Sequence, residues 1–140
     1  MKKIALLLVV VLSVTLLFAA CTPSYTWEDA EKDIETLKEA DFTVYIENTE
    51  EARKENAESL NKELKRVGKD SSVELVNICG LLINKYDIAV FEEYKTEKQA
   101  ITVFDYYQEV SPGYKAVRFG KIIIGGNAEE LLELLDYDFK

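Results

Sequence analysis

The 140-residue chain has no histidine. That absence removes the Ser-His-Asp and Cys-His nucleophile systems, histidine-liganded zinc and histidine general-base catalysis. Cysteine and proline occur twice each and glycine six times. No glycine-rich loop of the phosphate-cradling kind is present. Positive charge is also scarce: 17 Lys and Arg face 26 Asp and Glu, a net charge of −9. Such a chain lacks the basic face that displaces counterions from nucleic acid. It contains no internal repeat and no low-complexity segment.

What is present begins with Met1-Lys2-Lys3 and an apolar run from Ile4 to Ala20, broken only by Ser13 and Thr15. A positive start, an apolar stretch and small residues at its end form a secretory signal peptide. A run of 17 residues is also the short limit for a bilayer-spanning helix, so a retained anchor is the alternative. Leu17-Phe18-Ala19-Ala20-Cys21 resembles the lipobox of bacterial lipoproteins. Phe18 stands where that family more often has a small or β-branched residue. In that family the cysteine thiol receives a diacylglycerol and the chain is cut just before it. The resemblance implies a signal peptide over 1–20 and lipid attachment at Cys21, followed by a short tether over 21–25; the length that remains, 26–140, suits a single domain. The resemblance also implies a location on the extracytoplasmic side of the cell membrane. Each buried methylene adds about 0.8 kcal/mol, so two or more chains anchor stably. Thr22-Pro23-Ser24-Tyr25 reaches on the order of 14 Å at full extension. Without Lys2 and Lys3 the net charge is −11. Like charge repels anionic lipid within about 8–10 Å, so the lipid holds the domain down. With Cys21 acylated, Cys79 has no partner for an intramolecular disulfide.

Periodicity lays out the rest. Thr26 and Asp29 form a variant capping box for a helix to about Lys38, with Trp27, Ala30, Ile34 and Leu37 on one stripe. Phe42 to Ile46 alternates as a strand. Asn48 and Glu51 have the cap pattern of a second helix, with Ala57, Leu60, Leu64 and Val67 inward and Gly68 as its stop. Val73 to Ile83 and Tyr86 to Tyr94 read as a hairpin around Asn84-Lys85, with a bend at Gly80. Thr96 and Gln99 form a capping box for a third helix, striped by Ala100, Val103, Phe104 and Tyr107. Tyr114 to Phe119 and Ile122 to Ile124 are strands joined at Gly120-Lys121. Asn127 and Glu130 cap a short last helix that buries Leu131, Leu132 and Leu135, and Asp136 to Lys140 fray.

This order predicts an α+β domain: a ferredoxin-like βαββαβ sandwich with an antiparallel sheet. An extra N-terminal helix, a C-terminal β-hairpin extension and a short C-terminal helix are added to it. The second and third helices pack on one face. Tyr45, Val76, Ala89 and Phe91 line the other, which is core if a further helix covers it and a docking patch if not. The pattern is similar to small extracytoplasmic lipoproteins of unknown function, a likeness that implies no activity.

No constellation marks a catalytic site. Cys79 sits in an apolar strand without a positive neighbour and reads as core rather than as a reactive thiol. The acidic pairs Asp29 and Asp33, Glu50 and Glu51, Glu92 and Glu93, Glu129 and Glu130, and Asp136 and Asp138 read as helix starts and wet faces. They lack the calcium-loop spacing, and weak divalent binding is the alternative. Adjacent Glu92 and Glu93 point to opposite faces and cannot be a glycosidase pair. Tyr86, Tyr94, Tyr106, Tyr107 and Tyr114 are expected to cover the sheet rim with their hydroxyls in water, Tyr106 lying off the helix stripe. A recognition surface is the alternative. The sequence therefore predicts a lipid-anchored binding or interaction domain. It assigns no enzymatic activity, no cofactor, no metal ligand and no nucleic acid. Its partners are the membrane, through the anchor, and an envelope protein or small ligand nearby. The alternatives are an acid-dependent or divalent-metal-assisted hydrolase and a self-associating structural envelope protein.

Overall fold

The computed structural model describes residues 24–110 and 112–140. The signal segment and Cys21 lie outside the described residues. The chain runs α1 (Trp27–Glu39), β1 (Thr43–Ile46), α2 (Glu50–Arg66), β2 (Leu75–Leu82), β3 (Ile88–Tyr94), α3 (Glu97–Val110), β4 (Lys115–Phe119), β5 (Ile122–Gly126) and α4 (Glu129–Leu134). It is an α+β domain whose five strands form one antiparallel sheet in the order β1-β2-β3-β5-β4. No described helix is long and apolar enough to cross a membrane.

Local chemistry sets the element ends. Thr26 Oγ1 accepts from the Asp29 amide and Asp29 Oδ2 accepts from the Thr26 amide, so α1 starts on a complete capping box. Thr49, not Asn48, caps α2 by accepting from the Ala52 amide at 3.1 Å. Asn48 instead accepts from the Ile78 amide and so fastens the start of α2 to β2. Gly68, at φ +75°, takes the left-handed turn that ends this helix, and the Lys69 amide donates back to Leu64. At α3 the Thr96 hydroxyl accepts from the Gln99 amide, but the Gln99 side chain reaches across to Ser72 and Glu74 rather than closing a box. The β2–β3 turn is longer than two residues: Asn84 Oδ1 accepts from both Tyr86 and Asp87 amides. The last helix has no side-chain cap. Asn127 uses its amide to accept from Ile88 and donate to Tyr86.

The strand order departs from the ferredoxin-like expectation. A split βαβ unit seats a third strand between the two that a helix connects. The α3 crossover does this, because β5 lies between β3 and β4. The α2 crossover does not, because β1 and β2 are antiparallel neighbours. Nor does β5 extend the sheet as an outer hairpin strand; it is inserted beside β3. Hydrophobic period fixes which side a residue faces, not which strand lies beside it.

Both faces are covered. Ala30, Ile34 and Leu37 of α1 and Leu131 of α4 pack on Cys79, Leu81, Ala89, Phe91 and Ile124. Leu64 of α2 and Ala100, Val103 and Tyr106 of α3 pack on Tyr94, Ala116 and Ile123. Ala89 and Phe91 are therefore core, not an open patch. Tyr45 and Val76 stay exposed.

Glycines admit the closest approaches. A Cβ on Gly126 would sit 2.1 Å from the Ile88 carbonyl oxygen, a backbone atom that cannot step aside. Gly126→Ala is expected to cost about 1–3 kcal/mol by forced displacement of the β3–β5 pair. Urea unfolding of both proteins measures this; a difference below about 0.5 kcal/mol would reject the steric account.

Candidate functional site

One groove is lined by Ser24 and the residues that follow it. It encloses about 670 Å³ between the start of α1 and the β4–β5 turn. Tyr25, Trp27, Phe119 and Ile122 form its apolar wall; Glu93, Glu97 and Lys121 line it with charge. A second groove of about 560 Å³ lies beyond Trp27, bordered by Ile34, Val44, Asn48 and Cys79. Trp27 borders both.

An aromatic seam fixes the first groove. Tyr25 stacks on Phe119 with ring centres 4.5 Å apart, and Tyr137 meets Phe119 edge-on at 5.0 Å. The Tyr25 and Tyr137 hydroxyls both donate to Asp33 Oδ2, at 2.5 and 2.8 Å. Burial and then the Asp33 carboxylate push the Tyr25 hydroxyl far above its usual range, and push Tyr137 up to about 12. Both stay donors at any physiological pH. The segment after α4 is therefore ordered rather than frayed. Lys140 exchanges two backbone hydrogen bonds of 2.9 Å with Ala116 and so covers the outer edge of β4. Asp33 is thus the joint between the entry to α1 and the final residues.

The groove charges are paired. Arg118 donates to Glu97 at 3.0 Å and to the Gly120 carbonyl at 2.7 Å. Glu93 accepts from Asn77 at 2.6 Å and has Lys121 Nζ at 4.0 Å. The result is an aromatic wall with a near-neutral polar rim. It suits a ligand with one apolar face.

Glu92, on the opposite face of β3, is unlike every other carboxylate. It is 6% exposed, where the sequence predicted a wet face. Its strand neighbours are Ile78 and Ile123. Tyr107 donates to both its oxygens, at 3.1 and 3.0 Å. The Tyr94 hydroxyl is buried with no partner at hydrogen-bond geometry. Burial pushes Glu92 up to about 7, a rise that the Tyr94 and Tyr107 hydroxyls oppose. Burial also holds Tyr94, Tyr107 and Tyr114 well above the usual tyrosine range.

The other expected features disperse. Cys79 is buried, and burial pushes its thiol up, away from the reactive thiolate. Glu50 and Glu51 occupy the first turn of α2, and Glu129 and Glu130 that of α4. Asp29 is spent on the α1 cap. Among the described residues no three cysteine or carboxylate side chains gather as metal ligands. The tyrosines do not form one rim: Tyr94 and Tyr106 are buried, and Tyr86 is 78% exposed. Tyr106 packs inward beside Tyr107 despite its place off the helix stripe. A charged residue among the inward positions Val90 and Tyr94 was the signal for Glu92. The alternation of Tyr137 and Phe139 with Asp136, Asp138 and Lys140 was the signal for the final segment. Comparison with protein-family models, with curated proteins and with solved structures gave no match.

Asp33→Ala removes the shared acceptor of two half-buried hydroxyls. The expected cost is on the order of 2 kcal/mol, with faster amide exchange at Lys140. Exchange at Lys140 that stays at the wild-type rate would mean that Asp33 does not hold the final segment.

Proposed function

We propose that the chain is a bacterial lipoprotein, held on the extracytoplasmic side of the cell membrane by a lipid on Cys21, that binds a protein segment or small ligand in the groove beside Tyr25 and Trp27 and performs no catalysis. The observation that carries the reading is position. The groove begins at Ser24, within about 10 Å of Cys21 along an extended chain. A site so placed meets what lies at the membrane surface. The aromatic wall supplies apolar area, and the paired charges at the rim supply polar contacts without a strong net field.

One observation favours self-association as a second reading. β1 ends the sheet, pairs with β2 among the described strands, and leaves Tyr45 45% exposed. Sedimentation that shows one species across a wide concentration range removes it.

The test of the first reading starts with mass spectrometry of the membrane fraction. The N-terminal peptide is expected to begin at an acylated Cys21; a peptide that retains residues 1–20 sinks the anchor. The groove is then read through Trp27, the sole tryptophan of the chain. A bound envelope extract component is expected to shift its emission. Phe119→Ala and Lys121→Glu are each expected to weaken that binding about tenfold, roughly 1.4 kcal/mol. Unchanged binding in both variants moves the site elsewhere.

A further inference from the structure

The interior of the α2–α3 face carries one ionisable carboxyl, and its surroundings define the state it can hold. Groups reach Glu92 from every side. Tyr94 comes from β3 and Tyr107 from α3. Tyr45 of β1 and Tyr114, just before β4, lie close enough to sense its charge. β2 and β5 present Ile78 and Ile123, and α2 sends Leu60 and Leu64 into this layer. None of these is a cation. A buried carboxylate needs a counter-charge or several donors. Glu92 has one hydroxyl donor, stretched between its two oxygens. A neutral carboxylic acid fits the site better. It carries one O–H donor, and the buried Tyr94 hydroxyl is an oxygen with no partner.

We propose that Glu92 is carried as a neutral acid that donates its proton to the Tyr94 hydroxyl while accepting from Tyr107, and that loss of this proton loosens α3 from the sheet. Tyr107 is the α3 group on the carboxyl and packs against Tyr114 with ring centres 4.9 Å apart. Hydrating a new charge at Glu92 requires those rings to part. The pair is a pH-sensitive latch between β3 and α3, and its test does not use the groove reading, although Glu97 of α3 also lines the groove.

The direction follows from linkage. Glu92 lies at about 7 in the folded chain against an ordinary value of 4.5, so the folded state binds this proton more tightly. The stabilisation is complete below about pH 4.5 and is lost as the pH rises through 7. The folding equilibrium constant is expected to fall roughly a hundredfold across that window.

The experiment is urea unfolding of wild type and Glu92→Gln from pH 5 to 8.5, with infrared spectroscopy of the wild type at pH 6. Glutamine keeps a donor and an acceptor and cannot ionise. The wild type is expected to lose stability across the window while Glu92→Gln stays flat and is the more stable at pH 8. The wild type at pH 6 is expected to show the carbonyl stretch of a protonated buried carboxyl. Amide exchange in α3, corrected for intrinsic rate, is expected to quicken at pH 8 in the wild type alone. Parallel pH profiles, or no protonated carboxyl band at pH 6, overturn the proposal. The infrared arm uses the wild type, so it decides even if Glu92→Gln does not fold.

Discussion

Phe91 packs beneath α1 and α4, and its neighbour Glu92 packs beneath α2 and α3. The central strand β3 is buried on both sides from Ala89 to Glu92. An antiparallel sheet commonly leaves one face to water, and a sheet that does not must cover two. All four helices serve that need, α2 and α3 on one face and α1 and α4 on the other. The first and last helices close one face because the crossovers through α2 and α3 have both gone to the other. Small residues complete the fit: a Cβ on Gly125 would lie 2.6 Å from the Tyr114 ring, so glycine lets that ring lie against the sheet.

Closing the second face with elements from both ends of the domain brings those ends together. Asp33 makes this specific. One carboxylate oxygen takes hydroxyls from Tyr25 and Tyr137, residues 112 positions apart in the numbering. Charge-assisted hydrogen bonds of this kind are stronger than neutral ones, and the stacked Phe119 excludes water from one side of them. The same seam shapes the groove wall, so the groove is held by packing rather than by a loose loop. The last residue covers the β4 edge, which leaves fewer unpaired strand groups to recruit another chain.

Much of this was legible in the sequence. Trp27, Ala30, Ile34 and Leu37 marked α1, and Ala100 and Val103 marked α3, because 3.6-residue spacing reports a buried face directly. Caps were legible only in part. Asn48 and Thr49 are both good capping residues, and the choice fell to tertiary structure, since Asn48 is needed by the Ile78 amide. The α2 crossover was not legible, because period says nothing of neighbour order. The final segment was missed although Tyr137 and Phe139 alternate with polar residues, because the run is short and its pairing partner, Ala116, is distant in the sequence. The groove required Ser24 to Trp27 to meet Glu93 and Phe119, which no local pattern announces.

Glu92 and Glu93 show how position overrides residue type. The two are adjacent, and the pleat sends them to opposite faces. Glu93 falls beside Asn77 and Lys121 at the groove, where a carboxylate is paired and partly wet. Glu92 falls between Ile78 and Ile123, where its near contacts are tyrosine hydroxyls. Paired charges line the surface that a ligand would meet, and the unpaired carboxyl lies inside. A ligand in the groove would then draw mainly on the area of Tyr25, Trp27 and Phe119, because ion pairs already satisfied at an exposed rim add little. The interior carboxyl has the opposite character. With no cation to hold its charge, it responds to proton concentration, on the face away from the groove's aromatic wall, and only Glu97 of α3 is shared between the two.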